Sequence, residues 1–398
     1  MCSRERRLSV TAVVFLIAAS SLSLILAACG QRAAGIHQPA TAATATAEAI
    51  VQTGELARLE PARGAYFGVN LDWSNDTAAN FNERLGQNAA LYVQFVHFPF
   101  KPEDADYLDG FFEQTSAQGG IALLTLEPVI PLSKITPEVA AEFAGYLAEV
   151  RATYDVAIMV RFAHEMNGSW YSWSQQPEAY VAAFRTVAAA VHLSVPDAAM
   201  IWAPNYGAGY PFPGGQHLVT HGSPEFAILD TNSDGTLNML DDPYSPYYPG
   251  DDVVDWVGLS LYHWGSTWPW GENEVPEPDK FANQLTGNFN GLNGDERDVP
   301  DFYHLFAEQR GKPIAIVETA ALYSPEIGGA NALEIKQTWW NQVYSSESRE
   351  RFPQIKMINW FEWDKFETET NGRIDWTLTR GAFLDDFNSE AYVFAPVR

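Results

Sequence analysis

Eight short apolar runs, each followed by a loop or a helix-like stretch, recur from Tyr66 to the C-terminus and constrain the fold more than any other feature of the chain. They are AYFGVNLDW ending at Trp73, LYVQFVHF ending at Phe98, IALLTLEP ending at Pro128 and VAIMVRFAHE ending at Glu165. AAMIWAPN ending at Asn205, VDWVGLSLYHW ending at Trp264, PIAIVET ending at Thr319 and IKMINWFEW ending at Trp363 complete the set. Several are almost continuously apolar, as parallel strands covered on both faces must be, and PEVAAEFAGYLAEV and PEAYVAAFRTVAAAV between them have helical spacing with Pro near the first turn. Eight units predict an α/β fold, a (β/α)8 TIM barrel over residues 63–398, with insertions at about 206–253 and 267–300. An open doubly wound sheet is the alternative, but it would usually carry a Gly-rich first turn, and none follows the first run.

What precedes the barrel reads as an address. Arg4, Arg6 and Arg7 lead into an uncharged, largely apolar run from Leu8 to Ala28, the pattern of a secretory signal over residues 1–28. The stretch Leu26-Ala27-Ala28-Cys29-Gly30 resembles a bacterial lipoprotein cleavage box, which implies lipidation of Cys29 and an extracytoplasmic protein anchored in a membrane at the cell surface; an uncleaved anchor is the alternative. Residues 29–62, rich in Ala and Thr, read as a tether. Cys2 and Cys29 are the two cysteines, so the barrel region has neither a disulfide framework nor a thiolate metal cluster. Lys plus Arg number 24 against 50 Asp plus Glu, a net charge of −26 that repels nucleic-acid backbones and argues against such a partner. Thirteen Trp exceed the needs of a core, and stacking on flat uncharged ligands such as sugars is one use for the excess.

In such barrels the active site forms where the strands end, and here those ends are polar and aromatic. Asp72 and Trp73, His97, Glu127, His164 and Glu165, Asn205, Tyr262 with Trp264, Glu318, and Trp360 with Trp363 all fall there. A carboxylate ending an apolar strand is costly unless it is paired or used. Glu165 in the fourth run and Glu318 in the seventh are the best placed, and a facing pair of carboxyls suits cleavage of a glycosidic bond. Each Glu also has a plain structural reading, as the partner of an interior Arg such as Arg161.

The strings HEMNGSWYSW and PIAIVETA, with the aromatic VGLSLYHWG between them, resemble glycoside hydrolase family 26, whose best-known members are β-mannanases. The resemblance runs from about Tyr66 to the C-terminus and implies a barrel with a retaining mechanism, Glu165 as acid/base and Glu318 as nucleophile. It also implies sugar contacts for His164 and Trp170, and Tyr262 beside the nucleophile. Trp73, Trp264, Trp360, Glu127 and Asn205 are added as candidate substrate contacts from their positions at strand ends. Two departures bear on the substrate. Mannanases of the family carry an Asp where this chain has Ser260, and a Trp-His where it has Leu126-Glu127, so the expectation stays at a β-linked polysaccharide of β-mannan, β-glucan or β-xylan type, cut endo-wise by a monomer. No cofactor is expected for catalysis. A carbohydrate-binding barrel without turnover is the alternative, and a metal hydrolase using His97, His164 and Glu127 is a third reading that no H-E-x-x-H spacing supports.

One insertion carries a second signal. Asp230, Asn232, Asp234, Thr236 and Asp241 match the spacing of a calcium loop with Gly235 at its sharp turn, so a structural Ca2+ is expected there; the same residues are ordinary turn formers.

Overall fold

The computed structural model describes residues 55–101, 104–387 and 389–395. The signal, Cys29 and the tether up to residue 54 lie outside the described residues. Eight parallel strands run β1 Ala65–Leu71, β2 Leu91–Phe98, β3 Ile121–Pro128, β4 Ala157–Phe162, β5 Ala199–Trp202, β6 Trp256–Ser260, β7 Ile314–Thr319 and β8 Ile355–Glu362. Each pairs with the next, and β8 pairs back onto β1, so the sheet closes and the (β/α)8 barrel expected from the sequence is what the chain forms. A short strand, Tyr392–Val393, also lies beside the start of β1.

The strands alternate between two apolar layers, and that alternation aims the site. Leu91, Leu123, Met159, Ile201, Trp256 and Met357 belong to a packed cluster inside the barrel, while their sequence neighbours pack outward against the helices. Small residues make the interior fit. A Cβ on Gly68 would collide with Asn359 Oδ1, and one on Gly258 would come within 2.7 Å of Val317 Cγ1. Helices α1 Ala78–Leu85, α2 Asp104–Ala117, α3 Pro137–Tyr154 and α4 Pro177–Ser194 cover the first half of the barrel. Both helices expected from the sequence form with Pro at their first turn, and Thr136 caps α3 by accepting the Val139 N–H.

Three details depart from the sequence reading. The strands end earlier than the apolar runs: β1 stops at Leu71, β4 at Phe162, β5 at Trp202 and β6 at Ser260. The residues beyond have left the ladder and shape the mouth as turns, while apolar composition alone continues through them. The tether also ends sooner than residue 62. Arg58 pairs with Asp255 at 2.5 Å, its carbonyl accepts the Trp256 Nε1–H at 2.7 Å, and Leu59 packs against the interior cluster, so this stretch closes the end of the barrel opposite the strand C-termini. Finally, past Ile316, β7 carries one extra residue relative to both neighbours. Leu259 and Ser260 face Ile316 and Glu318, and Ile358 and Trp360 face Ile316 and Thr319.

Candidate active site

That bulge decides where Glu318 points. Ala315 and Val317 face the barrel interior, so strict alternation would next bring Thr319 inward and send Glu318 out. Instead Thr319 faces outward, where its hydroxyl accepts the Trp339 Nε1–H at 2.9 Å, and Glu318 turns into the mouth. There one carboxyl oxygen accepts from Arg161 Nη2 at 2.5 Å and the other from the Tyr262 hydroxyl at 2.7 Å. Arg161 is fully buried on the inward face of β4, and its Nε donates to Thr125 on β3 at 2.9 Å. An ion pair with a second donor on the other oxygen holds a carboxyl group in one orientation.

Glu165 comes from a different device. The chain leaves β4 through a tight turn in which Ala163 and Glu165 have φ of 46° and 53°. Such left-handed geometry costs a non-glycine residue on the order of 1 kcal/mol. The turn is held on both flanks, by the Ala163 N–H to Leu126 O and the Glu165 N–H to Ala203 O, each 2.9 Å. Its carboxyl accepts the Trp170 Nε1–H at 3.2 Å. Burial first, and then the negative charge of Glu318, push the Glu165 carboxyl up to about 7, against the pull of Ser260, Arg161 and Trp170. Two carboxyls on one cavity therefore have different surroundings: Glu318 is ion-paired, and Glu165 is kept protonated toward neutral pH.

The cavity has a volume of about 400 Å³ and reaches from this pair across the mouth to β8, β1 and β2. Glu165, Glu318, His164 and Trp73 of the sequence-predicted residues line it, with the Trp73 indole N–H tied to Val93 O at 2.8 Å. Trp170, 38% exposed, stands at the edge beside Glu165, and Tyr262 reaches Glu318 through its hydroxyl. Glu127 lies on the inward face of β3; burial raises its carboxyl, and the charges of Arg161 and His97 oppose that. Burial and the Arg161 charge drive His164 well below the ordinary histidine value, so it is neutral.

Other candidates are not brought to the cavity. Trp360 is fully buried on the outward face of β8 and donates to Trp376 O at 2.8 Å, so it is a core residue and not a sugar platform. Trp264 packs edge-on against Trp376, and Asn205 exchanges hydrogen bonds with Asn167; neither lines the cavity. Trp363, stacked on Phe361 with ring centres 5.7 Å apart, lines it instead, with Asn70, Gln94 and Lys365. Tyr171, the residue after Trp170 in HEMNGSWYSW, also lines it. Its place in the same short motif as Glu165 is the signal that marks it.

In the acidic insertion the predicted ligand carboxylates accept backbone N–H groups of their own loop. Asp230 accepts the Asp234 and Gly235 N–H groups, Asp234 accepts that of Thr236, and Asp241 accepts those of Asn232 and Asn238. Among the described residues, no group of three or more His, Cys, Asp or Glu is arranged to hold a metal ion, in the insertion or around His97, whose Nδ1 pairs with Asp104 at 3.0 Å.

No family model matches the chain. Endoglucanase H of Acetivibrio thermocellus is 24% identical over 322 residues, which are 78% of this chain and 28% of that protein. Among solved structures, a Cellulomonas fimi endo-β-1,4-mannanase double mutant superposes with a TM-score of 0.51 at 18% identity, over 83% of this chain and 72% of its own. A family 26 β-mannanase from Bacteroides ovatus gives 0.51 at 15% identity, over 84% and 91%. The resemblance to glycoside hydrolase family 26 carried by the motifs is thus matched by a barrel fold shared with its solved members.

Proposed function

We propose that this protein is a retaining glycoside hydrolase that cleaves a β-linked polysaccharide, with Glu318 as nucleophile and Glu165 as acid/base. The observation that carries the reading is the unequal pair: two carboxyls on one cavity, one ion-paired to Arg161 and the other pushed up to about 7 by burial and by its partner's charge. In the first step a Glu318 oxygen attacks the anomeric carbon, the glycosidic C–O bond breaks, and the Glu165 proton passes to the leaving oxygen. Esterification removes the Glu318 charge, and with it one of the two influences that raise Glu165. Glu165 is then a carboxylate, takes a proton from water, and that water's oxygen displaces Glu318 from the sugar. Arg161 and Tyr262, holding opposite oxygens of Glu318, keep it aimed through both steps.

Trp170, Trp73 and Trp363 are the proposed sugar platforms and Glu127 the proposed polar contact, with His164 behind Tyr171. Ser260 and Glu127, where mannanases carry other residues, favour a glycan other than mannan. A structural Ca2+ at Asp230, Asn232, Asp234, Thr236 and Asp241, apart from the catalytic steps, stays part of the proposal on sequence grounds. Lipid anchoring through Cys29 at the cell surface remains part of the proposal on sequence grounds, and incorporation of radiolabelled fatty acid, lost in Cys29→Ala, is its test.

The decisive experiment is reducing-sugar release from mannan, β-glucan and xylan by wild type, Glu165→Ala and Glu318→Ala, with the first-formed anomer followed by NMR. Turnover abolished in Glu318→Ala, with a β product appearing first, is the expected result. An α product appearing first overturns double displacement, and full activity in both variants overturns the site.

A further inference from the structure

Tyr171 has a task that neither the turn nor the catalytic pair explains. Its ring is stacked on Trp173, with centres 4.3 Å apart and planes 11° apart, and its backbone N–H is held by Ser174 Oγ at 3.1 Å. So fixed, the ring forms part of the cavity wall beside Glu165 and Glu318. Its hydroxyl lies 3.1 Å from His164 Nε2. His164 is buried, with Phe95 edge-on to its ring at 5.4 Å, and its Nδ1 has no partner.

A neutral imidazole carries one proton, and the orphaned Nδ1 decides which nitrogen holds it. A proton on Nδ1 would leave a buried N–H without an acceptor, a rarer and costlier situation than a bare lone pair. The proton therefore sits on Nε2 and is donated to the Tyr171 oxygen. That occupies the acceptor side of the phenol and leaves its own O–H with no other partner among the described residues. Burial, then the charges of Glu165, Glu318 and Glu127, hold this phenol well above its ordinary value, so it stays protonated.

We propose that Tyr171 is a specificity-determining residue: its hydroxyl donates a hydrogen bond to one hydroxyl of the sugar ring lying between Glu165 and Glu318, with His164 fixing the acceptor side of the same oxygen. This rests on the hydrolase reading and deepens it, because the site then selects a ring that is free at that position. Deoxy or O-acylated sugars are rejected there, since they leave the donor without an acceptor or without room.

The test uses wild type and Tyr171→Phe on the glycan identified by the panel, and on nitrophenyl β-glycosides of the same sugar lacking one hydroxyl at a time. Wild-type turnover that Glu318→Ala abolishes is the gate; without it the hydrolase reading fails, and this proposal with it. With it, kcat/KM is expected to fall about 10- to 100-fold in Tyr171→Phe at unchanged near-UV dichroism. The two enzymes should converge on one deoxy substrate, which wild type itself should cut at least ~10-fold more slowly than the parent. A variant with unchanged kcat/KM, or a deficit equal on every deoxy substrate, overturns the proposal and leaves Tyr171 as a structural partner of His164.

Discussion

In the proposed mechanism a single carboxyl group sets the working pH of the site. Glu165 has to be protonated for the first step, so kcat/KM should hold below about pH 7 and then fall roughly tenfold per pH unit above it, checked by initial rates between pH 5 and 9. The same shift has a stability cost. A carboxyl raised in the folded state contributes stability that is fully present below its ordinary value of 4.5 and is lost as pH rises through about 7. Glu165→Gln should therefore be inactive yet melt above wild type at pH 8, with the difference closing at pH 4. Gly168 exposes a second dependence at this scale. A Cβ there would come within 2.5 Å of the Trp170 ring, so Gly168→Ala should displace Trp170 from Glu165 and lower kcat/KM by about tenfold or more with little change in melting temperature. The pair itself was legible from the sequence because each Glu ends an apolar run. Arg161 was legible as the interior partner of a Glu, and it pairs with Glu318 across the barrel.

Strands carry the next lesson, since their alternation decides which aromatics meet a ligand. On β8, Trp360 faces the helices while Phe361 and, just past the strand, Trp363 face the cavity. Trp360→Ala should cost about 3–5 kcal/mol in urea unfolding and leave the KM of the remaining folded enzyme unchanged. Trp363→Ala should do the reverse, raising KM severalfold with a much smaller loss of stability. A Trp-rich segment shows that aromatics are present but not which way they face, because one extra residue reverses the parity. The bulge in β7 is such a case: it left no mark in PIAIVET, yet it puts Glu318 rather than Thr319 in the mouth.

For the molecule as a whole, the excess of acid is the dominant long-range property. At a net charge of −26, carboxymethylated glycan should be cut more slowly than its neutral parent in low salt, and the gap should narrow as ionic strength rises from ~10 to ~150 mM, followed by reducing-sugar assay. The barrel architecture was fully legible, because eight buried strands need eight apolar runs and parallel pairing needs a crossover between each. Its lower closure was not. Arg58 and Leu59 sit in a stretch whose Ala- and Thr-rich start masks two residues that matter only once Asp255 and Trp256 are brought beneath them. That seal, together with the side chains filling the barrel axis, leaves the barrel open at one end only. A polymer cannot thread it, and a ligand of the cavity has to enter from the rim.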